Sequence, residues 1–287
     1  MKHSTLILNL LALALGACSA KYDNLEHAAG RALQGPGLDP WTEAFLDCHD
    51  ENTPYSIVNG SPVAPQDPDS KKAVLLVIFT ADGVRSCTGA LIGERMILTA
   101  AHCLTEATQV TAVFSPQMTC ASGYNRERMS IPAEKFLAHE NYAPEKNFLN
   151  DLGLVKLKAP APADYPVAHL YDGQRPLTSD QILMIGYGIS DESKKDSLTL
   201  RKTTKSFHEE SFVKGQVIAF NQAGESGGVC DGDSGGPIYA QCEGEEQIIG
   251  IADRVMGKDP LKVCHKASAA AYVPAYLDWI RDHLQTL

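Results

Sequence analysis

Val229–Pro237 reads VCDGDSGGP, and the reading of this stretch organises the rest of the chain. Glycines on both sides of Ser234, with Asp233 just before it, suit a tight loop that exposes a hydroxyl beside unobstructed backbone N–H groups. Such N–H groups can hold an oxyanion. Two other stretches carry complementary chemistry. Leu98–Cys103, LTAAHC, supplies His102 after an apolar run, and Asn150–Leu157, NDLGLVKL, puts Asp151 at the head of an alternating strand. Taken singly, each has an ordinary structural reading: a turn serine, a core or surface histidine, a capping Asn-Asp pair. Together they supply what nucleophilic catalysis needs: a hydroxyl, an imidazole base to take its proton and a carboxylate to orient the imidazole.

The three motifs, in the order His102, Asp151, Ser234, resemble the chymotrypsin-like serine proteases. The resemblance runs from Ile57 to Leu287 and is weak in the loops between the motifs. It implies an all-β fold of two six-stranded antiparallel Greek-key β-barrels with a C-terminal α-helix. His102 and Asp151 would come from the first barrel and Ser234 from the second, leaving the active site in the crevice between them. By the same resemblance, His102 would accept the Ser234 proton, Asp151 would fix the imidazole, and the N–H groups of Gly232 and Ser234 would form the oxyanion hole. Ile57-Val58-Asn59-Gly60 resembles the N-terminus that these proteases acquire on activation, where the freed amine would pair with Asp233. Cys87 would bridge Cys103, and Cys230 would bridge Cys264. The implied substrates are proteins or peptides, the implied state is a monomer, and neither a metal nor an organic cofactor is required.

The coarse pattern from Ile57 onward fits such a fold, with short apolar runs separated by Gly, Pro, Asn and Asp turns. Runs at 74–79, 89–93, 96–101 and 110–114 precede the Asp motif, and runs at 181–188, 216–220, 235–240 and 247–252 follow it. Val273, Tyr276, Leu277, Ile280 and Leu284 recur at helical spacing, which predicts an amphipathic terminal helix packed on the second barrel.

Several positions depart from the family pattern. Counting back from Ser234, the pocket floor falls at Gly228, where trypsins carry Asp, so nothing there would attract Lys or Arg. In GIADRV (250–255), Asp253 and Arg254 replace the usual Ser and Trp, which gives the triad carboxylate an acidic neighbour. Val255 and Ala270 occupy wall positions where wide pockets carry Gly. The unusual cleft segment also supports a rival reading, a binding or adhesion protein that keeps the fold without cleaving.

The composition of the 287 residues, 44% hydrophobic and 21% charged, is that of an ordinary globular chain, and a net charge of -10 argues against a nucleic-acid partner. Met1 to Cys18, MKHSTLILNLLALALGAC, has a basic start and an apolar run too short for a bilayer, which reads as an export signal. Leu15-Gly16-Ala17-Cys18 resembles the bacterial lipobox, with Cys18 lipidated and the protein held at the cell envelope. Ordinary cleavage after Ala20 and secretion is the alternative. Residues 19–56 read as a tether and propeptide, and 57–287 as the protease domain. Export permits disulfides, whereas a zinc site is disfavoured by the lack of CxxC spacing. Cys48, Cys120 and Cys242 are left over. A bridge from Cys48 to Cys242 or Cys120, with Cys242 preferred, would keep the prosegment attached after activation.

Overall fold

The computed structural model of the chain describes residues 60–118, 123–144, 149–189, 198–207, 212–213, 215–223, 227–256 and 263–287. The export signal, the tether, Ile57, Cys48 and Cys120 lie outside these residues. The strands are β1 (Ser61–Pro62), β2 (Val74–Thr80), β3 (Gly83–Gly93), β4 (Met96–Thr99), β5 (Gln109–Val113), β6 (Ser130–Ala138), β7 (Gly153–Leu157), β8 (His169–Leu170), β9 (Gln181–Gly186), β10 (Arg201–Ser206), β11 (Phe212–Val213), β12 (Val217–Asn221), β13 (Pro237–Cys242), β14 (Glu245–Met256) and β15 (Ala267–Tyr272). The α-helices among the described residues are α1 (Ala101–Leu104), α2 (Arg126–Met129) and α3 (Leu277–Thr286).

Six strands close the first unit into a barrel in the order β2-β3-β4-β7-β6-β5. The apolar runs explain its centre: β2, VLLVIFT, is buried at every position through Phe79, and β4, MILT, is buried throughout. A strand covered on both faces loses the in-out alternation of a half-exposed one. The second unit is larger than the six strands implied by the resemblance. Its sheet has nine strands in the order β1-β10-β9-β13-β14-β15-β12-β11, with β8 paired in parallel to β14. Short pieces account for the extra strands: β1 adds to the edge of β10, and two residues of β8 lie beside β14.

The terminal helix packs differently from the sequence expectation. Val273–Tyr276 forms a 3-10 turn, and only then does α3 begin. This segment also reaches the first barrel: Trp279 stacks on His139 at 4.7 Å between ring centres, and Lys156 donates to the Leu287 carbonyl at 3.0 Å. The turn also carries the Tyr276 hydroxyl to Asn150, whose N–H it accepts at 2.9 Å. The helix therefore straps the two units together next to the Asp151 segment. Among the described residues, no helix is long and apolar enough to cross a membrane.

A single buried threonine joins the units at their inner faces. Thr88, on β3, donates its hydroxyl to the Gly232 carbonyl at 2.9 Å and accepts the Tyr187 N–H at 3.0 Å. Its backbone N–H meets the Ser234 carbonyl at 2.8 Å, and its carbonyl accepts the Thr99 hydroxyl at 2.8 Å. Thr88→Val keeps the shape but strands a buried N–H and a buried carbonyl, at about 1–3 kcal/mol for each unsatisfied group. Thr111 is the control, being fully buried with a hydroxyl that has no hydrogen-bond partner among the described residues. Urea denaturation should therefore show Thr88→Val destabilised and Thr111→Val unchanged or more stable. Equal losses at both positions would contradict this assignment of hydrogen bonds.

Candidate active site

Asp151 and His102 meet because of two local backbone features. Strand β4 ends at Thr99, and the chain turns into the single turn α1, whose N-terminal residue Ala100 offers no side-chain cap. The cap comes from elsewhere: Asp151 Oδ1 accepts the His102 N–H at 2.8 Å. Just before β7, Asn150 adopts φ +62°, a left-handed conformation that Asn tolerates better than most residues. Its side chain donates to the Asn141 carbonyl at 3.0 Å, holding the segment that delivers Asp151 inward.

The second Asp151 oxygen lies 2.6 Å from His102 Nδ1. An ionised carboxylate only accepts, so the shared hydrogen sits on Nδ1 and Nε2 is left as an acceptor. Burial alone would raise the Asp151 pKa, but its hydrogen bond with His102 and the charge interaction there outweigh it and hold the carboxyl below its ordinary value. The His102 ring is part-exposed at 31%, whereas Asp151 is fully buried.

Ser234 sits in a loop that only glycine permits. Gly235 has φ +81°, and a Cβ there would fall 2.1 Å from the Thr99 hydroxyl and 2.3 Å from the Thr88 carbonyl. Gly232 has φ +92°, with a Cβ 2.9 Å from Gly188 Cα. The loop is sewn down by Gly235 N–H to the Ala252 carbonyl at 2.7 Å and Gly236 N–H to the Asp233 carbonyl at 2.8 Å. The N–H groups of Gly232 and Ser234, by contrast, donate no hydrogen bond among the described residues. The Ser234 hydroxyl donates to the Asp253 carbonyl at 3.4 Å. Ser234 and His102 line one cavity of about 340 Å³ without a hydrogen bond between them, and such bonds commonly tighten only once substrate is present.

Asp233 faces away from that cavity. Its carboxylate, 1% exposed, accepts the Gly188 N–H at 2.7 Å and the Cys230 N–H at 2.9 Å. Burial pushes it up to about 7, opposed by those two N–H groups and by the charge of Arg201. Ile57, assigned as its partner from sequence, lies outside the described residues.

The substrate-pocket residues divide. Asp253, Arg254 and Val255 line the cavity with Tyr142, Asp231 and Ala252, whereas Gly228 and Ala270 do not. The reason at Gly228 is Gln222, a buried residue following β12, whose side chain would lie 2.1 Å from a Cβ at 228. Its amide bonds the N–H and carbonyl of Val229 and the Cys264 carbonyl. Ala270 is enclosed between β12 and β14, opposite Ile218 and Ala252. Sequence reasoning missed Gln222 and Thr88, since a lone polar residue outside a motif gives no signal, and it gave no role to Asp231, which lies inside the serine motif and is exposed at the rim.

Bridges join Cys87 to Cys103 and Cys230 to Cys264, with Cα separations of 6.2 and 5.1 Å. They anchor β3 to α1 and the serine loop to the segment before β15. Cys242 is a buried free thiol in the second unit's core with Ile182, Met184 and Ala240, which corrects the preferred bridge to Cys48. His102, Asp151 and Asp253 each place one donor atom within 4.8 Å of the others. However, the 2.6 Å contact between His102 and Asp151 is a hydrogen bond, too short for two ligands sharing a zinc ion at about 2.0–2.2 Å from each.

Comparison with known proteins agrees with this fold. The family model described as Trypsin matches residues 57–280. Trypsin-4 of Rattus norvegicus is 31% identical over 220 residues, covering 70% of this chain and 81% of its own. Chymotrypsin-2 of Vespa crabro is 25% identical over 213 residues, covering 68% and 88%. The solved structure of HL collagenase superposes with a TM-score of 0.65 at 23% identity, over 80% of this chain and 99% of that one, a likeness of fold. With a matching family model over most of its length and a paired imidazole and carboxylate beside a glycine-bounded serine, the chain belongs to the trypsin family.

Proposed function

We propose that the protein is an exported serine endopeptidase, made as a zymogen, in which Ser234 is the nucleophile, His102 the general base and acid, and Asp151 the residue that orients the imidazole. The observation that supports this most strongly is the His102–Asp151 contact opening onto the cavity that Ser234 lines. On substrate binding, the Ser234 hydroxyl turns from the Asp253 carbonyl to His102 Nε2, gives up its proton and attacks the peptide carbonyl. The N–H groups of Gly232 and Ser234 hold the oxyanion that develops. His102 then passes the proton to the leaving amine, and water repeats the sequence to release the acyl group. Residues 1–18 direct export, and lipid on Cys18 anchors the protein.

In the zymogen step, cleavage between Ser56 and Ile57 frees an amine that pairs with Asp233. Until then, Asp233 is a buried acid with a raised pKa. In the uncut chain, the folded state binds more protons than the unfolded one between about 3.8 and about 7, so stability present at low pH falls as pH rises through that window. Urea midpoints of the uncut protein should decline across it, and Asp233→Asn should lessen the decline, leaving the share of Asp253, a second buried acid raised to about 8. Cutting before Ile57 should also lessen it and raise peptidase turnover in the same samples. Full turnover in uncut protein, or no slope in the wild type, would refute the switch.

Specificity follows from what lines the cavity. Gly228 lies outside that lining and carries no acid, Gln222 occupies the space that a side chain at 228 would need, and Val255 lines the wall. A Lys or Arg side chain would be desolvated without an ionised partner at depth, since Asp231 lies at the exposed rim and burial, with Asp151 beside it, pushes the deeper acid Asp253 up to about 8. Small or medium uncharged P1 residues should be cleaved best, and Ser56 at the activation site is one. A P1-diverse peptide library should rank Ala, Val, Ser and Thr first. A preference for Asp or Glu would assign recognition to Arg254, and one for Lys or Arg would overturn the reading of Gly228.

A further inference from the structure

Asp253 is the extra residue of a β-bulge. Strand β14 pairs Ala252 with Ala270 and Arg254 with Ala269, so nothing on β15 stands opposite position 253. Bulges beside active sites re-aim a side chain, and this one turns Asp253 toward Asp151. The two carboxyls are 1% and 0% exposed, and each has an oxygen within 4.8 Å of the other and of a His102 ring nitrogen. Two ionised carboxylates cannot share such a place without large repulsion, so one keeps a proton.

The hydrogen bonds decide which. Asp151 accepts the His102 backbone N–H and lies 2.6 Å from Nδ1, and these contacts outweigh its burial and hold its carboxyl below the ordinary value, so it is the ionised partner. Asp253 Oδ1 accepts from Arg254 Nε at 2.8 Å, but Oδ2 is buried and has no donor among the described residues. An oxygen without a donor, beside an acceptor, is where a carboxylic proton resolves the deficit. We propose that Asp253 is a positioning residue for the catalytic pair: it is held as a neutral acid whose Oδ2–H donates to Asp151, completing the donors that fix the carboxylate facing His102. The catalytic half of this inference rests on the function proposed above; the placement of the proton does not.

The electrostatics agree with the geometry. Burial, then the hydrogen bond to Asp151 and its charge, hold Asp253 well above the ordinary carboxylate range. The other titratable or charged groups facing the pair are His102 on α1, Tyr142 after β6, Tyr276 before α3, and Arg254 on β14 itself. Of these, Arg254 favours an ionised Asp253 and is outweighed. Burial pushes Tyr142 up to about 12, so it stays a neutral phenol. Rising pH would remove the Asp253 proton, set two like charges against each other and loosen Asp151 from the imidazole. Activity should then fall on the alkaline side.

The test uses the activated full chain, with Asp253→Asn and Asp253→Ala, and reads kcat and KM against pH beside the infrared band of protonated carboxyl groups. Asp253→Ala should lose about tenfold or more in kcat with a smaller change in KM, the signature of a lost orienting hydrogen bond. Asp253→Asn, which keeps an N–H donor but cannot ionise, should recover part of that loss and move the alkaline limb upward by at least about one pH unit. In wild-type protein, a protonated-carboxyl band should persist at neutral pH, vanish as pH rises through the alkaline limb, and be missing from Asp253→Asn; Asp233→Asn identifies that residue's own band. An alkaline limb in the same place in Asp253→Asn, or a wild-type spectrum without the band, would overturn the proposal. The band can also be read in Ser234→Ala protein, so a band without wild-type peptidase activity would uphold the proton and refute the proposed function instead.

Discussion

The Asp151 carboxylate is fully buried and remains ionised, which is possible only because donors surround it, and much of the molecule serves to bring those donors there. His102 contributes two of them from a single turn of helix that has no other cap. The left-handed Asn150 aims the carboxylate, the Tyr276 hydroxyl holds the Asn150 N–H, and the 3-10 turn before α3 carries that hydroxyl across from the second unit to the first. The bulge of β14 brings Asp253 to the remaining side. One buried charge thus ties together elements more than a hundred residues apart in the chain.

The position of Ser234 depends on a second, neutral junction. Thr88 grips the carbonyls of Gly232 and Ser234, one through its hydroxyl and one through its N–H, so the loop that carries the serine is registered against the first barrel. Gly235 makes the approach possible, since any side chain would collide with Thr88 and Thr99. Imidazole and hydroxyl come from different units, and their relative position is only as exact as this junction. Approximation of the reacting groups is a large share of what such a site contributes.

The sequence reveals most where burial is complete and least where it is partial. The runs at 74–79, 96–101 and 181–188 read as strands because continuous apolar residues have no other use at that length. Strands β6, SIPAEKFLA, and β10, RKTTKS, went unread because charged and polar residues interrupt any apolar pattern there, and β15, ASAAAY, because small residues pack there without a strong strand preference. The three motifs were legible, as was the acidic neighbour of Asp151, found by counting along GIADRV. The protonation of that neighbour was not, because it depends on a bulge. Likewise, position 228 could be counted from Ser234, but Gln222, which occupies the space that a side chain there would need, comes from the end of β12 through the fold alone. The terminal helix was legible as a helix; its docking on the first barrel was not, because an amphipathic stripe says that a face is covered without saying by what.

The central claim is that Ser234 is an activated nucleophile once the chain begins at Ile57. A fluorophosphonate probe with intact-mass readout tests it directly. One covalent adduct per chain on Ser234, formed rapidly in protein cut before Ile57, slowly in uncut protein and not at all in Ser234→Ala, is the result predicted here. Cut, folded protein that takes up no probe would contradict it, and would favour a trypsin-family chain that binds without cleaving.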